Sequence, residues 1–364
     1  MNSSEYEIFG YTFKELEDIF KSEYSKGLYH SSALFKHLYK EGSTDVSGLP
    51  EYEKSPDLAG RVEKRFPLKL PRLPVIIEDS GTRKFTLQLK DGTLSESVLI
   101  PMSRWHTLCV SSQIGCSRGC AFCETARMGL IRNLDPREIV VQWAVSEFRL
   151  GVSPRNIVFM GMGEPFDNFD NVIKSIDILS DPRGPGIPKR RISVSTAGHA
   201  EGIKRLSELD KKYPDKAYRT IHLAVSLNAS NNTLRDKLMP INRIWPMETL
   251  KEALINTPQS KNKDALYYEY VLISGVNDSP ENAGELVSWL EGLSGKVNLI
   301  PYHKRGASDK WDSPDDKTIN KFLEIILASG RECRVRRSRG RKIEAACGML
   351  GKESRKAALK TDAM

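Results

Sequence analysis

From about Thr107 onward the chain repeats a strand-then-helix rhythm, and few architectures accommodate it. Strand-like runs at 156–161, 191–196, 220–227, 266–273, 297–301 and 332–336 alternate with helix-spaced segments at 168–180, 200–209, 247–255, 280–292 and 316–329. Strands joined through helices run parallel, and the helices then cover the sheet. About six such units are too few to close an eight-stranded barrel, so the pattern predicts an α/β fold built as an open, partial (β/α)6 barrel. Sheets of this kind bind ligands at the carboxyl ends of their strands, which is where the chemically conspicuous residues of this sequence fall.

Upstream the rhythm is different. Residues 11–42 carry apolar positions at helical spacing (Phe13, Leu16, Ile19 and Phe20, then Leu34, Phe35 and Leu38), and prolines at 67, 71 and 74 end that pattern. Lys84 to Ile100 alternates around Lys90-Asp91-Gly92, a hairpin signal. The expected organisation is a helical N-terminal module (1–65), a β-hairpin extension or linker (66–106), the main core (107–351) and a basic tail (352–364). The chain shows no run of about 18 apolar residues and no charged-then-apolar leader, which predicts a cytoplasmic protein without a membrane segment. In a reducing compartment its six cysteines read as ligands or catalysts before they read as disulfides.

Three of them stand together in Cys116-Ser-Arg-Gly-Cys120-Ala-Phe-Cys123. Three thiolates satisfy three irons of a 4Fe–4S cube and leave the fourth iron open to a small molecule. A zinc site would need a fourth ligand, and no Cys or His follows at finger or ribbon spacing. Further on, Met160-Gly-Met-Gly163-Glu164-Pro165 closes a strand, with glycines that permit close backbone approach and a carboxylate able to receive an ammonium group. Ser195 and the run Ser226-Leu227-Asn228 fall at strand ends on the same rim.

Taken with Leu108-Cys109-Val-Ser-Ser-Gln-Ile-Gly-Cys116, Arg132-Asn133-Leu134, Ser193-Val-Ser-Thr-Ala-Gly198, Arg235-Asp236, Pro240-Ile-Asn242, Gly275-Val-Asn-Asp278 and Ala345-Ala-Cys347-Gly-Met-Leu350, these motifs resemble the RlmN/Cfr family of radical SAM RNA adenine methyltransferases. The resemblance covers residues 12 to 351. It implies that Cys116, Cys120 and Cys123 hold a 4Fe–4S cluster, and that Gly163, Glu164, Ser195, Ser226, Leu227, Asn228 and His303 bind S-adenosylmethionine, used twice per turnover. It implies further that Cys347 carries the methyl group as S-methylcysteine, that Cys109 resolves the protein–RNA thioether through a transient disulfide with Cys347, and that Glu96 takes the ring proton. The implied reaction is methylation of adenine C2 in 23S rRNA, and also in tRNA, with C8 methylation as the alternative and a non-catalytic RNA-binding relative as a third. A flavodoxin- or ferredoxin-type electron donor and a monomer are expected by analogy. The chain differs from the common family pattern at Glu124, at Asn228, where histidine is frequent, and at His303, where asparagine is usual.

The charge distribution agrees with an RNA partner. Residues 331–364 hold eleven basic and four acidic side chains, and so carry seven of the eight net positive charges. Arg336, Arg337, Arg339 and Arg341 lie just upstream of Cys347, where phosphate contacts would draw a nucleic acid to the thiol. Trp105, His106 and Phe122 are candidates for stacking on an exposed base. Cys333 acquires no role and reads as a buried structural residue.

Overall fold

The first helices are fixed by local chemistry. Thr12 caps α1 (Phe13–Tyr24): its hydroxyl accepts from the Glu15 amide while the Glu15 carboxylate accepts from the Thr12 amide. α2 (Leu28–Glu41) ends at Gly42 in the left-handed conformation. Phe13, Leu16 and Phe20 bury against Leu34, Phe35 and Leu38, with the Phe13 and Phe35 rings edge to face at 5.4 Å. α3 (Pro56–Arg65), which the sequence pattern left unassigned, begins with proline in its first turn. The computed structural model describes residues 5–262, 264–304, 309–337, 343 and 348–355.

Three antiparallel strands follow: β1 (Ile76–Asp79), β2 (Thr82–Gln88) and β3 (Leu94–Pro101). β4 (His106–Cys109) pairs antiparallel with β3, Val98 opposite Cys109, and parallel with the next long strand. The segment expected as a separate hairpin or linker is therefore continuous with the main sheet. Local periodicity reports a hairpin but not the strand on its outer side. β5 (Gln113–Gly115) and β6 (Leu130–Asn133) form a small sheet of their own.

The core then runs α4 (Pro136–Ala144), β7 (Pro154–Phe159), α5 (Phe169–Ser180), β8 (Ile192–Thr196), α6 (Ala200–Lys212) and β9 (His222–Ser226). It continues with α7 (Asn232–Leu238), α8 (Met247–Ile255), β10 (Leu266–Leu272), α9 (Pro280–Leu290), β11 (Lys296–Pro301), α10 (Asp316–Ala328) and β12 (Cys333–Val335). Strand order in the ten-stranded sheet is β1-β2-β3-β4-β7-β8-β9-β10-β11-β12, and every pairing from β4 to β12 is parallel. Six helical crossovers thus build the partial (β/α)6 barrel that the rhythm implied. Tyr39 packs on Trp143 of α4 at 5.7 Å, and one apolar cluster runs through the N-terminal module and the core. No helix among the described residues is long and apolar enough to cross a membrane.

The inner face of the sheet prepares the site. Ile192, Val194, Leu223 and Val225 are buried toward the helices, whereas Ser193, Ser195, His222 and Ser226 alternate with them and line cavities inside the curve of the sheet. A sheet covered by helices and packed on both faces reads as continuous apolar runs. These strands read with period two because their inner face is left to a ligand.

Candidate active site

The three cysteines are delivered by a stem. β5 and β6 pair antiparallel, and the loop between them leaves at Gly115 and returns at Gly129. Gly115 has φ 77°, and a Cβ there would fall 1.9 Å from the Gly129 carbonyl oxygen, so the neck admits no side chain. Cys116, Cys120 and Cys123 all line one cavity at the carboxyl ends of the parallel strands. Burial pushes the Cys116 thiol up to about 12 and the Cys120 thiol well above its usual range, and mutual repulsion with Cys123 adds to both. Three partly buried thiols set around one cavity, two of them held above their usual range, suit a cationic iron cluster, whose charge would stabilise them as thiolates.

Opposite the cysteines, Gly161, Gly163 and Glu164 form the wall contributed by β7. Gly163 has φ 102°, with room for no Cβ beside Gln113, and the Gln113 side-chain oxygen accepts from the Glu164 amide at 2.8 Å. The Glu164 carboxylate is 3 % exposed and accepts from the amides of Phe166 (3.1 Å) and Ala197 (2.7 Å). Burial nevertheless holds its pKa above the usual carboxylate range, so a cation in the cavity would relieve it. Arg118, inside the cysteine loop, forks onto Asp167, donating from Nε at 2.7 Å. Asp167 also meets His199 at 3.4 Å, and the His199 ring lies against Trp245 at 4.1 Å. Sequence reasoning missed this clamp, because nothing in the spacing of 118 and 167 announces it.

Ser195, Ser226, Asn228 and His303 line the same cavity. Leu227 does not: its side chain is fully buried in the core, because alternation turns the middle residue of the triplet away from its neighbours. Asn228 adopts φ 55°, and its side-chain oxygen accepts from the Val271 amide at 2.8 Å. Its carbonyl accepts from Asn277 at 2.9 Å, so it shapes the turn as much as it faces the cavity. Arg235 locks this rim from behind. It is fully buried and donates to the carbonyls of Ala197 (2.7 Å), Ser226 (3.1 Å) and Leu227 (3.2 Å) and to Asn242 Oδ1 (3.0 Å). Asn242 in turn donates to Asp236 at 2.7 Å, which explains the Arg235-Asp236 and Pro240-Ile-Asn242 motifs.

A second cavity lies beneath the first and shares Met160, Glu269 and Arg336 with it. Cys109 lines this lower cavity and is 7 % exposed. Cys347, Arg339 and Arg341 fall outside the described residues, but Gly348 and Met349 line the upper cavity and Leu350 the lower one. The 348–355 segment is clamped to the cysteine loop: Glu124 N donates to the Gly348 carbonyl at 2.7 Å, Thr125 Oγ1 to the Leu350 carbonyl at 2.6 Å, and Arg355 to Glu124 at 2.8 Å. Glu124, a departure from the family pattern, thus has a partner in the tail.

Glu96 is not on either cavity wall. It is fully buried, 3.2 Å from Lys84, and accepts from the Glu353 and Ser354 amides and from the Ser354 hydroxyl, each at 3.2 Å. The polar run Ser95-Glu96-Ser97 looks solvent-facing in sequence, but all three are buried. Phe122 lines the upper cavity, Trp105 lies under Arg155 at 5.3 Å, and His106 opens β4. Cys333 is only partly buried, packed against the edge of the core.

Comparison with known proteins agrees with the fold. Residues 110–287 match the radical SAM superfamily. The chain is 41 % identical to the probable dual-specificity RNA methyltransferase RlmN 1 of Protochlamydia amoebophila, across 94 % of this chain and 93 % of that one. It is 39 % identical to the dual-specificity RNA methyltransferase RlmN of Azorhizobium caulinodans, across 89 % and 83 %. A crystal structure of a radical SAM methyltransferase from Sphaerobacter thermophilus superimposes with a TM-score of 0.83 at 34 % identity, covering 94 % of this chain and 98 % of that one. With this identity across nearly the whole length of both chains, the protein belongs to the RlmN family of radical SAM proteins.

Proposed function

We propose that this protein methylates C2 of an adenine in RNA, in 23S rRNA and in tRNA, through a cysteine-bound methyl group. The observation that carries the reading is the docking of 348–355, which sets the residues following Cys347 against both the three-cysteine cavity and the cavity of Cys109. A module that only bound RNA would have no need of these thiols together.

In this reading Cys116, Cys120 and Cys123 hold the 4Fe–4S cluster, with Gly163, Glu164, Ser195, Ser226, Asn228 and His303 around S-adenosylmethionine. When bound, these groups supply one-electron chemistry, which an electron-poor adenine ring carbon requires because it resists ordinary methyl transfer. The chain supplies the rest. Glu164 offers its carboxylate to an ammonium group, and its burial excludes competing water. Cys347 carries the one-carbon unit, so that the transfer divides into easier steps. Cys109, as the thiolate, then attacks the Cys347 sulfur; the bond from that sulfur to the transferred carbon breaks, the carbon keeps the electron pair and takes up a proton to become the methyl group, and a Cys109–Cys347 disulfide is left. The proton-acceptor role of Glu96 requires 353–354 to move, since Glu96 Oε1 is occupied by donors from that segment. A flavodoxin- or ferredoxin-type protein serves as electron donor.

The test is mass spectrometry of nucleosides from RNA incubated with reconstituted protein, S-adenosylmethionine and a reductant. The expected product is 2-methyladenosine; 8-methyladenosine would correct the ring position, and no methyladenosine would refute the function. Cys347→Ala abolishes turnover, and Cys109→Ala accumulates a covalent protein–RNA adduct.

A further inference from the structure

Glu269 is the one residue in the middle of β10 whose chemistry the strand does not need. Its neighbours in Leu266-Tyr-Tyr-Glu-Tyr-Val-Leu272 are apolar or aromatic, yet its side chain points inward and lines both cavities. It is 6 % exposed. One carboxylate oxygen, Oε1, accepts from Asn298 Nδ2 at 2.8 Å and from Arg336 at 3.2 Å. The other, Oε2, is buried and has no hydrogen-bond partner among the described residues. A buried carboxylate oxygen left without a donor is costly and uncommon, and a ligand that supplies the donor removes that cost.

The place of Glu269 between the two cavities restricts what the ligand is. Glu269 shares the lower cavity with Cys109 and Met160, and under the proposed function the target base must come within reach of Cys109 there. Adenine (N6) and cytosine (N4) carry an exocyclic amino donor where guanine (O6) and uracil (O4) present a carbonyl oxygen, the amino group of guanine lying instead on C2. An acceptor fixed at that position welcomes the first pair and repels the second.

We propose that Glu269 is the residue that reads the target base, its Oε2 accepting a hydrogen bond from the 6-amino group of adenine while Arg336 and Asn298 hold the carboxylate oriented. The assignment rests on the proposed RNA adenine substrate and adds a recognition group to it. It also specifies how an amide would behave. In Glu269→Gln, the donors of Arg336 and Asn298 would retain the amide oxygen and turn the amide NH2 toward the base. Donor would then face donor for adenine, and donor would face acceptor for hypoxanthine.

The experiment uses the full chain and an RNA stem-loop that the wild-type protein methylates, synthesised with adenine, purine or hypoxanthine at the target position. Binding is read by fluorescence anisotropy and, for the purine and adenine forms, kcat/KM by product formation. The wild-type protein is expected to favour adenine over purine by 10- to 100-fold, the range for one hydrogen bond to a buried charge. Glu269→Gln is expected to bring that ratio to within about 3-fold and to bind the hypoxanthine RNA more tightly than the adenine RNA. Affinity of the cluster-loaded variant for S-adenosylmethionine should match the wild type. The proposal is overturned if the wild-type protein does not distinguish purine from adenine, a result independent of how any variant folds. It is overturned equally if the variant keeps the adenine preference, or if it loses S-adenosylmethionine affinity, which would give the carboxylate to the cosubstrate. Absence of methyladenosine with the wild-type protein would remove the function together with this assignment; methyladenosine without base discrimination would remove this assignment alone.

Discussion

Replacing Arg235 with Met keeps volume and removes the guanidinium that ties the ends of β8 and β9 together. Four acceptors then lose this donor: the buried Leu227 carbonyl and Asn242 Oδ1, and the partly buried carbonyls of Ala197 and Ser226. Each hydrogen bond to a charged group is worth about 1.5–3 kcal/mol, and an orphaned acceptor costs about as much. Against this, the native protein bears the cost of burying the charge, visible in an Arg235 pKa held down to about 10 by burial. The losses are not additive, and breaking one side of a buried charged network typically costs about 3–5 kcal/mol. At roughly 2 °C per kcal/mol for a chain of this size, Arg235→Met should lower the melting temperature by about 6–10 °C by calorimetry. Below that transition, affinity for S-adenosylmethionine should fall about tenfold, because the Ser226–Asn228 turn has lost its anchor. Gly198→Ala should reproduce both effects, since a Cβ at φ 96° would meet Arg235 Nη2 at 2.6 Å. A melting shift under about 2 °C with unchanged affinity would show that the carbonyls find other donors and that Arg235 does not hold the rim.

Four further outcomes follow from the geometry. Cys120→Ser should reduce bound iron and sulfide to background with little change in far-ultraviolet circular dichroism, because the stem of β5 and β6 holds the loop without a cluster. Arg355→Ala should raise hydrogen exchange across 348–355 several-fold, as Glu124 loses a partner worth about 0.5–1 kcal/mol at this half-exposed position. Phe35→Ala, at 1 % exposure between Phe13 and Tyr39, should cost about 3–5 kcal/mol in urea denaturation. Around Glu15, hydrogen bonds from Lys174 and Thr12 outweigh burial and hold the carboxyl below its ordinary value. That stabilisation is full above the unfolded-state pKa and is lost as pH falls through the folded one. Glu15→Gln should therefore flatten the acid-side fall in stability by about 0.5 kcal/mol in denaturation curves between pH 5 and pH 3.

The rhythm of the core was legible because parallel strands and their helices each announce themselves over several residues, and α8 falls at 247–255 as the spacing predicts. The inward serines at 193 and 195 were visible for the same reason, being polar at every second position. The same rule, applied strictly, would have excluded Leu227. What stayed hidden is long-range. β5 and β6 are three and four residues long, too short for any periodicity. That β3 pairs with β4 is a choice of partner, which no local pattern encodes. Glu96 reached the candidate site through resemblance, yet its burial and its contacts with 353–354 are tertiary facts. Glu269 did leave a trace, a lone charge in an aromatic strand, and periodicity alone could have aimed it inward.

The clamp on 348–355 also bears on how the protein gains and loses its activity. Its bonds join residues 225 to 258 positions apart, Thr125 to Leu350 and Glu96 to Ser354, among the longest loops that this fold closes. Closing such a loop is entropically costly and few contacts repay it locally, so the segment should settle after the sheet and open before it. Mild denaturant would then silence the enzyme while its barrel remains intact, and a ligand that fastens Gly348–Leu350 while leaving 353–354 free to move would widen the range of conditions in which the protein works.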